Sequence, residues 1–293
     1  MATTAMTTTP KFSVALQSDR YQKLINNTLR DPKKADRFIA AVSSAVGTTP
    51  ALQACEAGSI ITAALLGEAL GLSPSPQLGQ YYMVPYNDTK AGVSKAQFQL
   101  GYKGYIQLAI RSGYYTKLNV QPIKEGELIR YNPLEEELVV KLIEDETVRE
   151  NTPDMGYYAM FEYANGFRKI LYWSREKMEA HADRYSKAFK IDDYRRYVNG
   201  EIPGKDMWKY SSHWYKDFSA MACKTMLRQI ISKWGIMSVE MQEAFEKDMA
   251  VINDNGTYDY VDSPEAPSMT VASVDEVSDL DALNAQLVGG DEL

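Results

Sequence analysis

Residues 97–115, QFQLGYKGYIQLAIRSGYY, say most about how this chain folds. Up to Leu100 apolar and polar residues alternate, which predicts a half-buried strand. The Gly-Tyr-Lys-Gly turn at 101–104 then leads into helical spacing, and Ser112-Gly113 ends it. The stretch therefore predicts a strand that passes through a tight turn directly into a helix.

The helix in this stretch has two unlike faces. Lys103, Gln107 and Arg111 recur every four residues and so share one face, whereas Ile106 and Ile110 belong to the other. A helix start bracketed by glycines lets backbone N–H groups approach an anion closely. Cations with tyrosines beside them suit a sugar-phosphate backbone with attached bases. In isolation the same residues are also typical of a plain turn with core tyrosines, which is the commoner case.

Periodicity along the rest of the chain predicts helices, then strands with one intervening helix, then helices again. The predicted helices span 20–29, 32–46, 58–70, 105–111, a segment capped by Ser174, and 206–234. The predicted strands span 81–86, 95–101, 116–123, 127–131, 138–143, 156–163 and 167–173, with Asn165-Gly166 as a hairpin turn. Residues 194–205 are predicted to be an irregular connector. This order favours an α+β fold with an antiparallel sheet, a central helix and flanking helices.

Composition indicates an intracellular protein. Of the 293 residues 45% are hydrophobic, yet no apolar run approaches the ~18 residues of a membrane span. The first residues have neither the charged nor the apolar region of a secretory signal. Cys55 and Cys223 lie far apart and are expected to be buried thiols in a reducing compartment. We therefore expect a cytoplasmic location and no membrane partner.

The net charge of −7 hides an uneven distribution along the chain. Residues 248–293 hold eleven of the 39 acidic residues and no lysine or arginine. Residues 1–247 then carry all 32 cations against 28 acidic residues, a net charge of +4. Within residues 168–233, fifteen cations face eight acidic residues, a net charge of +7. A basic body with an acidic tail is common among nucleic-acid-binding proteins, although unrelated proteins also have it.

No set of residues with the spacing of a catalytic or metal site stands out. There is no phosphate-binding G-x-x-x-x-G-K-[ST] motif, and the two histidines, His181 and His213, have no metal-site spacing. The acidic runs 135–137 and 192–193 are consecutive, so their side chains point in different directions and are typical of solvated charge. A two-metal nuclease would need carboxylates that converge from separate segments. The sequence predicts binding chemistry without a catalytic residue, metal or cofactor.

The predicted helix 206–234 and the lysine just before it present a second group of cations. At 100° per residue the five cations fall within an arc of roughly 140°, and apolar residues fill the remainder. They are Lys205, Lys209, Lys216, Lys224 and Arg228. A solvated face of an amphipathic helix is the alternative explanation, and the acidic residues within the arc favour it. With the cations of the central helix, this arc predicts a groove with two basic walls.

Several motifs in order resemble the RecT family of phage and prophage single-strand annealing proteins. The resemblance begins with LGLSP at 70–74 and YYMVPY at 81–86, continues with QLGYKG at 99–104, and ends with RSG at 111–113. It resumes at 207–228 with Met-Trp, His-Trp, MACKT and Leu-Arg. Where the family usually has two basic residues, this chain has Arg228 and Gln229. The resemblance covers roughly residues 36–247.

The resemblance implies a core related to that of the eukaryotic Rad52 annealing proteins, oligomeric rings or helical filaments, and action without ATP. It implies binding of single-stranded DNA and of the annealed duplex, with a phage exonuclease and a host single-strand-binding protein as partners. Two other classes stay open, a metal-dependent nuclease and a structural phage assembly protein. The predicted DNA-contacting residues are Tyr102, Lys103, Tyr105, Gln107, Arg111, Lys117, Lys205, Lys209, His213, Lys216, Lys224 and Arg228.

Three regions are expected along the chain. Residues 1–35 are predicted to be a partly disordered N-terminal segment with a role in oligomer contacts. Residues 36–247 are predicted to form the core that binds DNA, anneals it and oligomerises. Residues 248–293 are predicted to be an acidic, largely disordered tail. Within that tail, residues 274–288 have the spacing of a short helix that folds against a partner.

Overall fold

The computed structural model describes residues 12–88, 92–186, 188–210, 212–253 and 258–260. The chain divides into two units, Met1–Asp262 and Ser263–Leu293, and every described residue belongs to the first. The predicted helix at 274–288 and the first eleven residues lie outside the described residues. The α-helices are α1 (Phe12–Ala15), α2 (Asp19–Leu29), α3 (Pro32–Thr48), α4 (Ala57–Ala69), α5 (Tyr102–Ser112), α6 (Glu146–Asn151), α7 (Arg175–Tyr185), α8 (Ile191–Val198), α9 (His213–Lys216), α10 (Phe218–Trp234) and α11 (Val239–Lys247). Short 3₁₀ helices span Pro50–Ala54 and Gly204–Tyr210.

The strands form three antiparallel sheets. They are β1 (Tyr81–Asp88), β2 (Val93–Leu100), β3 (Tyr115–Lys124), β4 (Leu128–Asn132), β5 (Glu137–Val140), β6 (Asp154–Tyr163), β7 (Arg168–Ser174), β8 (Ala250–Ile252) and β9 (Tyr258–Tyr260). Their orders are β1-β2-β8-β9, β3-β6-β7 and β4-β5. The α+β class with antiparallel pairing is confirmed, although three sheets replace the single sheet that was predicted.

The first sheet is covered by α4, which is apolar on all sides. Every residue from Gly58 to Gly67 is buried, as expected of a helix without a polar face. It packs against β1, β2 and β8. The Thr62 hydroxyl donates to the Ile252 carbonyl at 2.8 Å and so fastens β8 to the helix. A Cβ at Gly67 would lie 2.3 Å from the Tyr81 ring, so only glycine lets the helix approach the sheet this closely.

The second sheet is covered by α10. Alternate residues of β6, from Tyr157 to Tyr163, are buried on the inner face, which is the period of two that a one-sided sheet requires. The helix packs across all three strands of this sheet and also contacts α5. Since α5 also contacts β3 and α11, it lies at the junction of the elements that form the interface described below.

The predicted long helix 206–234 is in fact three helical segments. Ser212 caps α9, and its hydroxyl accepts the backbone N–H of Trp214. Asp217 then takes a non-helical conformation and its carboxylate caps α10 by accepting the N–H of Ala220 at 2.9 Å. Because the chain leaves the helical path at these caps, the five cations do not form one continuous arc.

The packed hydrophobic core extends beyond the expected range 36–247 at both ends. Phe12, Leu16 and Ile25 are buried in the main hydrophobic cluster, so residues 12–35 belong to the core. At the other end Asp248 is buried, and β8 pairs with β2 at Phe98. The core therefore extends past residue 247. The predicted connector 194–205 begins as helix, since α8 runs to Val198.

Candidate nucleic-acid interface

The start of α5 is packed against the loop that precedes β1. The Gly101 N–H donates to the Gln80 carbonyl at 2.9 Å. A Cβ at Gly101 would lie 2.1 Å from the Gly79 carbonyl oxygen, and one at Gly104 would lie 2.1 Å from that of Gln80. The glycines are therefore needed for backbone packing. Backbone carbonyls fill the space beside both glycines, and the approach of an anion to the N–H groups at this helix start stays a prediction.

The faces of α5 differ in part from the prediction. Lys103 and Gln107 are exposed, as expected, but Ile110 is exposed too and Tyr105 is fully buried. Arg111 has a structural role, since its guanidinium donates to the carbonyl of Leu70 at 2.5 Å and to that of Gly71 at 3.4 Å. These carbonyls follow the last turn of α4, where a cation is favoured by the helix dipole.

Residues from three elements meet beside the start of α5. The Tyr82 ring on β1 lies 5.3 Å from the His213 ring on α9, centroid to centroid. A Cβ at Gly79 would lie 3.0 Å from the Tyr82 hydroxyl and 3.5 Å from Cδ of Lys103, so both side chains border this glycine. The half-buried Tyr102 completes the group, and the charge of Asp217, beside α9, acts on it. We call Tyr82, Tyr102, Lys103, His213 and Lys216 the α5–α9 surface.

The charge of the α5–α9 surface comes from two lysines. Desolvation of the His213 ring and the charges of Lys216 and Lys224 lower the pKa of this histidine below its usual value, and Asp217 opposes them only in part. The His213 ring is therefore less readily protonated at pH 7 than a free histidine. Lys103 and Lys216 are exposed and make no ion pair within the part of the chain that the structure describes. The surface thus combines two available cations with three aromatic rings.

Beneath α5 lies a buried ion-pair cluster centred on Asp248, which we call the Asp248 cluster. One carboxylate oxygen accepts the Leu100 N–H at 2.8 Å and lies 2.9 Å from Nζ of Lys224. The other accepts the Tyr105 hydroxyl at 2.9 Å and lies 2.8 Å from Nη1 of Arg228. Strand β2, helices α5 and α10, and the start of the C-terminal strands are joined at this one carboxylate.

The electrostatics of the Asp248 cluster are those of a structural site. Burial by itself would raise the pKa of Asp248, but Lys224, Arg228 and the hydrogen bonds outweigh it and hold the pKa below its ordinary value. Lys224 is only 6% exposed. Lys224 is therefore too buried to line an open basic wall as expected, whereas Arg228 is bound to Asp248 with 39% of its side chain exposed. Tyr105, at 0% exposure, likewise has no surface available to a base.

The other predicted cations are divided between two places. Lys117 on β3 pairs with Glu162 on β6 at 3.2 Å, on the sheet and next to a shallow depression that includes Ile110. Lys209 pairs with Asp206 at 2.8 Å in the 3₁₀ helix Gly204–Tyr210. Lys205, in the same segment, is exposed and makes no ion pair with a described residue. This segment leads directly into α9 and hence to the α5–α9 surface.

Comparison with known proteins agrees with the motifs that meet at α5. The sequence model of the RecT family matches residues 36–260. The chain belongs to the RecT family. It is 39% identical over 230 residues to the uncharacterized protein YqaK of Bacillus subtilis (strain 168), a match that covers 78% of this chain and 68% of YqaK. It is 29% identical over 216 residues to protein RecT of Escherichia coli (strain K12), covering 73% of this chain and 71% of RecT.

Membership of the RecT family places the chain among proteins of phage-type recombination that act by single-strand annealing and are generally not catalytic enzymes. The family match ends at residue 260 and so includes Asp248, β8 and β9, in agreement with the longer core seen in the structure. The two segments that carry the family motifs meet at two places. Tyr82 on β1, beside the start of α5, contacts α9, and the Asp248 carboxylate bonds to side chains of both α5 and α10.

Sequence reasoning missed two residues of this region of the RecT-family fold. The alternation of the strand could have identified Tyr82 as a surface residue, because it follows the buried Tyr81 and must face the opposite side of the sheet. Asp248 gave no local signal, because it is the first acidic residue of a segment that is acidic throughout.

Two further observations concern the described residues. No three histidine, cysteine, aspartate or glutamate side chains among them converge in a way that would hold a metal ion. None of their helices has the length and apolar character that crossing a bilayer requires.

Proposed function

We propose that this RecT-family protein is an ATP-independent annealing protein that holds single-stranded DNA by its backbone at the α5–α9 surface. The observation that carries the proposal is the pairing state of the cations. Arg111, Lys117, Lys209, Lys224 and Arg228 all have partners within the fold. Lys103, Lys205 and Lys216, by contrast, make no ion pair with a described residue, and Lys103 and Lys216 belong to the α5–α9 surface with the Tyr82 and His213 rings.

The chemistry of that surface suits a flexible strand without sequence preference. Lysines that neutralise phosphates release counterions, and this supplies affinity independent of sequence. Aromatic rings offer stacking to any base. A strand held by its backbone keeps base edges available, so a second strand can test its pairing, and each correct step adds stacking of about 1.4 kcal/mol.

We further propose that the working form is a homo-oligomer, a ring or a helical filament, that holds many bases in register. Short accidental matches then dissociate, whereas long complementary stretches accumulate stacking energy and persist. Annealed duplex stays bound by the same phosphate contacts. Neither strand undergoes a covalent change, so neither a cofactor nor a catalytic residue is required.

The acidic segment after Asp262 is proposed to serve protein partners, namely a phage exonuclease and a host single-strand-binding protein. It contains no lysine or arginine and so adds no phosphate contact. Its negative charge repels DNA at low salt, and removing it should leave oligonucleotide binding intact or tighten it slightly. Recombination in cells should fall in the same truncated variant.

Binding of a labelled single strand over a range of salt concentrations tests the proposed surface. Each lost phosphate contact should reduce the slope of log K against log salt by about 0.7 for single-stranded DNA. Lys103→Gln and Lys216→Gln should each lower the slope by this amount, whereas Lys33→Gln on α3 should leave it unchanged. Unchanged slopes in folded Lys103→Gln and Lys216→Gln variants would remove this surface from the proposal.

The same samples separate the two alternatives. A metal-dependent nuclease would shorten the labelled strand when magnesium is added. A structural assembly protein would form oligomers but show no salt-dependent affinity for DNA.

A further inference from the structure

The 3₁₀ helix Gly204–Tyr210 holds a tryptophan that the hydrophobic core does not use. Trp208 is 72% exposed, whereas Trp173 and Trp214 are 8% and 6% exposed. Its neighbour Met207 is also exposed, at 44%. Trp208 is thus a large exposed ring within a segment that carries lysines. Such a site suits a ligand with an apolar face and a negative charge.

The segment is fixed in place by a different aromatic residue. Tyr210 packs edge-on against Tyr215 with ring centroids 5.1 Å apart, and it lies 6.1 Å from Tyr197. Because Tyr210 anchors the segment to α8 and α9, Trp208 projects from a held backbone. Little conformational entropy is then lost when a ligand stacks on its ring.

The 3₁₀ geometry places charge beside the ring. Residues three apart are eclipsed in a 3₁₀ helix, so Lys205 and Trp208 lie on the same side. The Asp206–Lys209 ion pair, at 2.8 Å, has this same spacing. Nζ of Lys209 also lies 5.7 Å from the centroid of the Trp208 ring. One ring thus has a lysine on either side of it in sequence.

We propose that Trp208 is a base-stacking residue for single-stranded DNA, with Lys205 beside it for the adjoining phosphate. This inference rests on the proposed function and extends its surface. His213 lies five positions after Trp208 in the chain, a reach of at most ~18 Å, which is the length of about five stacked nucleotides. A strand that lies on the α5–α9 surface therefore arrives at Trp208 within a few nucleotides.

Intrinsic fluorescence during titration with unlabelled oligothymidylate tests this assignment. Stacking on Trp208 should quench the emission of the wild-type protein, and Trp208→Phe should lose most of that quenching. Trp234→Phe is the matched control, because Trp234 is 40% exposed but has the Lys169 ammonium 4.5 Å from its ring centroid. This control should keep the quenching.

Affinity and its salt dependence give a second readout. Trp208→Ala should weaken binding about tenfold, within the range known for loss of one base–aromatic stack. Its salt slope should equal that of the wild type, since the ring neutralises no phosphate, whereas Lys205→Gln should lower the slope by about 0.7.

Three results would overturn the inference. Quenching that survives in Trp208→Phe, with wild-type affinity in Trp208→Ala, would remove Trp208 from the DNA site while leaving the proposed function intact. Sedimentation showing that Trp208→Ala dissociates the DNA-free oligomer, with unchanged affinity for a short oligonucleotide, would make the ring a contact between copies of the chain. Absence of salt-dependent binding by the wild type would overturn the proposed function together with this extension.

Discussion

Asp248 offers the sharpest test of how the interface is held together. The residue is 2% exposed, and its carboxylate has contacts from Leu100, Tyr105, Lys224 and Arg228. Asp248→Asn keeps the size of the side chain and one carbonyl acceptor but removes the charge. Lys224, at 6% exposure, then loses the charge that compensates it.

Two estimates of the unfolding free energy lost in Asp248→Asn agree. Removing one partner of a buried ion pair destabilises proteins by about 3–5 kcal/mol, because the other charge is left in a poor environment. A buried lysine can instead release its proton, and doing so at pH 7 from an ordinary pKa of ~10.4 costs about 4.6 kcal/mol. For a core of this size the loss corresponds to a fall in Tm on the order of 10 °C.

Thermal and urea unfolding of Asp248→Asn at a fixed protein concentration measures the effect. Asp193→Asn is the control, since Asp193 pairs with Arg196 at 3.4 Å on the surface of α8, where an ion pair is worth under about 1 kcal/mol. Adding Lys224→Met to Asp248→Asn should restore at least half of the loss, because the uncompensated charge is gone. The reasoning is refuted if Asp248→Asn is no more destabilising than Asp193→Asn, or if the double variant is no more stable than Asp248→Asn alone.

Three further predictions follow from the same contacts. Because the pKa of Asp248 is lowered in the fold, its ionised form contributes stability above the unfolded pKa of ~3.9, and this stability is lost as the pH falls. Acid titrations followed by circular dichroism should therefore show the stability difference between wild type and Asp248→Asn shrinking between about pH 5 and pH 2, and a constant difference would contradict this. Truncation after Lys247 should destabilise the core by about 3–5 kcal/mol, because it removes Asp248 and β8. Truncation after Asp262 should leave Tm and DNA affinity near the wild-type values, and equal Tm values for the two truncations would show that β8 is dispensable. Gly104→Ala should lower the free energy of unfolding, measured with urea, by about 1–3 kcal/mol, because the added Cβ would lie 2.1 Å from the Gln80 carbonyl oxygen. Gly204→Ala, whose Cβ would have no atom within 4 Å, should change it by no more than about 0.5 kcal/mol, and equal effects would count against the packing described at α5.

Features encoded by neighbouring residues were predictable from the sequence. The alternation in β1, β2, β6 and β7 and the Asn165-Gly166 turn are local patterns, and the strands lie within two residues of their predicted ends. The helix breaks at Ser212 and Asp217 had a local signal too, since both residue types favour the N-cap, but the longer apolar periodicity concealed it.

The pairing of charges was not predictable in this way. Lys224 and Arg228 occupy positions on an amphipathic helix that are typical of a solvated face. Only the arrival of Asp248, from the turn between α11 and β8, makes one of them buried. Arg111 continues the spacing of Lys103 and Gln107, yet a carbonyl 41 residues away binds it. Helical periodicity reports which residues share a face and carries no information about what that face meets in the fold.

The measurement that bears most directly on the proposed function is annealing itself, followed by energy transfer between two dye-labelled complementary oligonucleotides without ATP or added metal. The wild-type protein is predicted to accelerate annealing well above the protein-free rate, and the Lys103→Gln, Lys216→Gln double variant to lose that acceleration while keeping its Tm. A Lys33→Gln, Lys141→Gln double variant, with equal loss of charge at other exposed lysines, should anneal like the wild type. Wild-type protein that leaves the protein-free rate unchanged, or a folded Lys103→Gln, Lys216→Gln variant that anneals as fast as the wild type, would contradict the proposal.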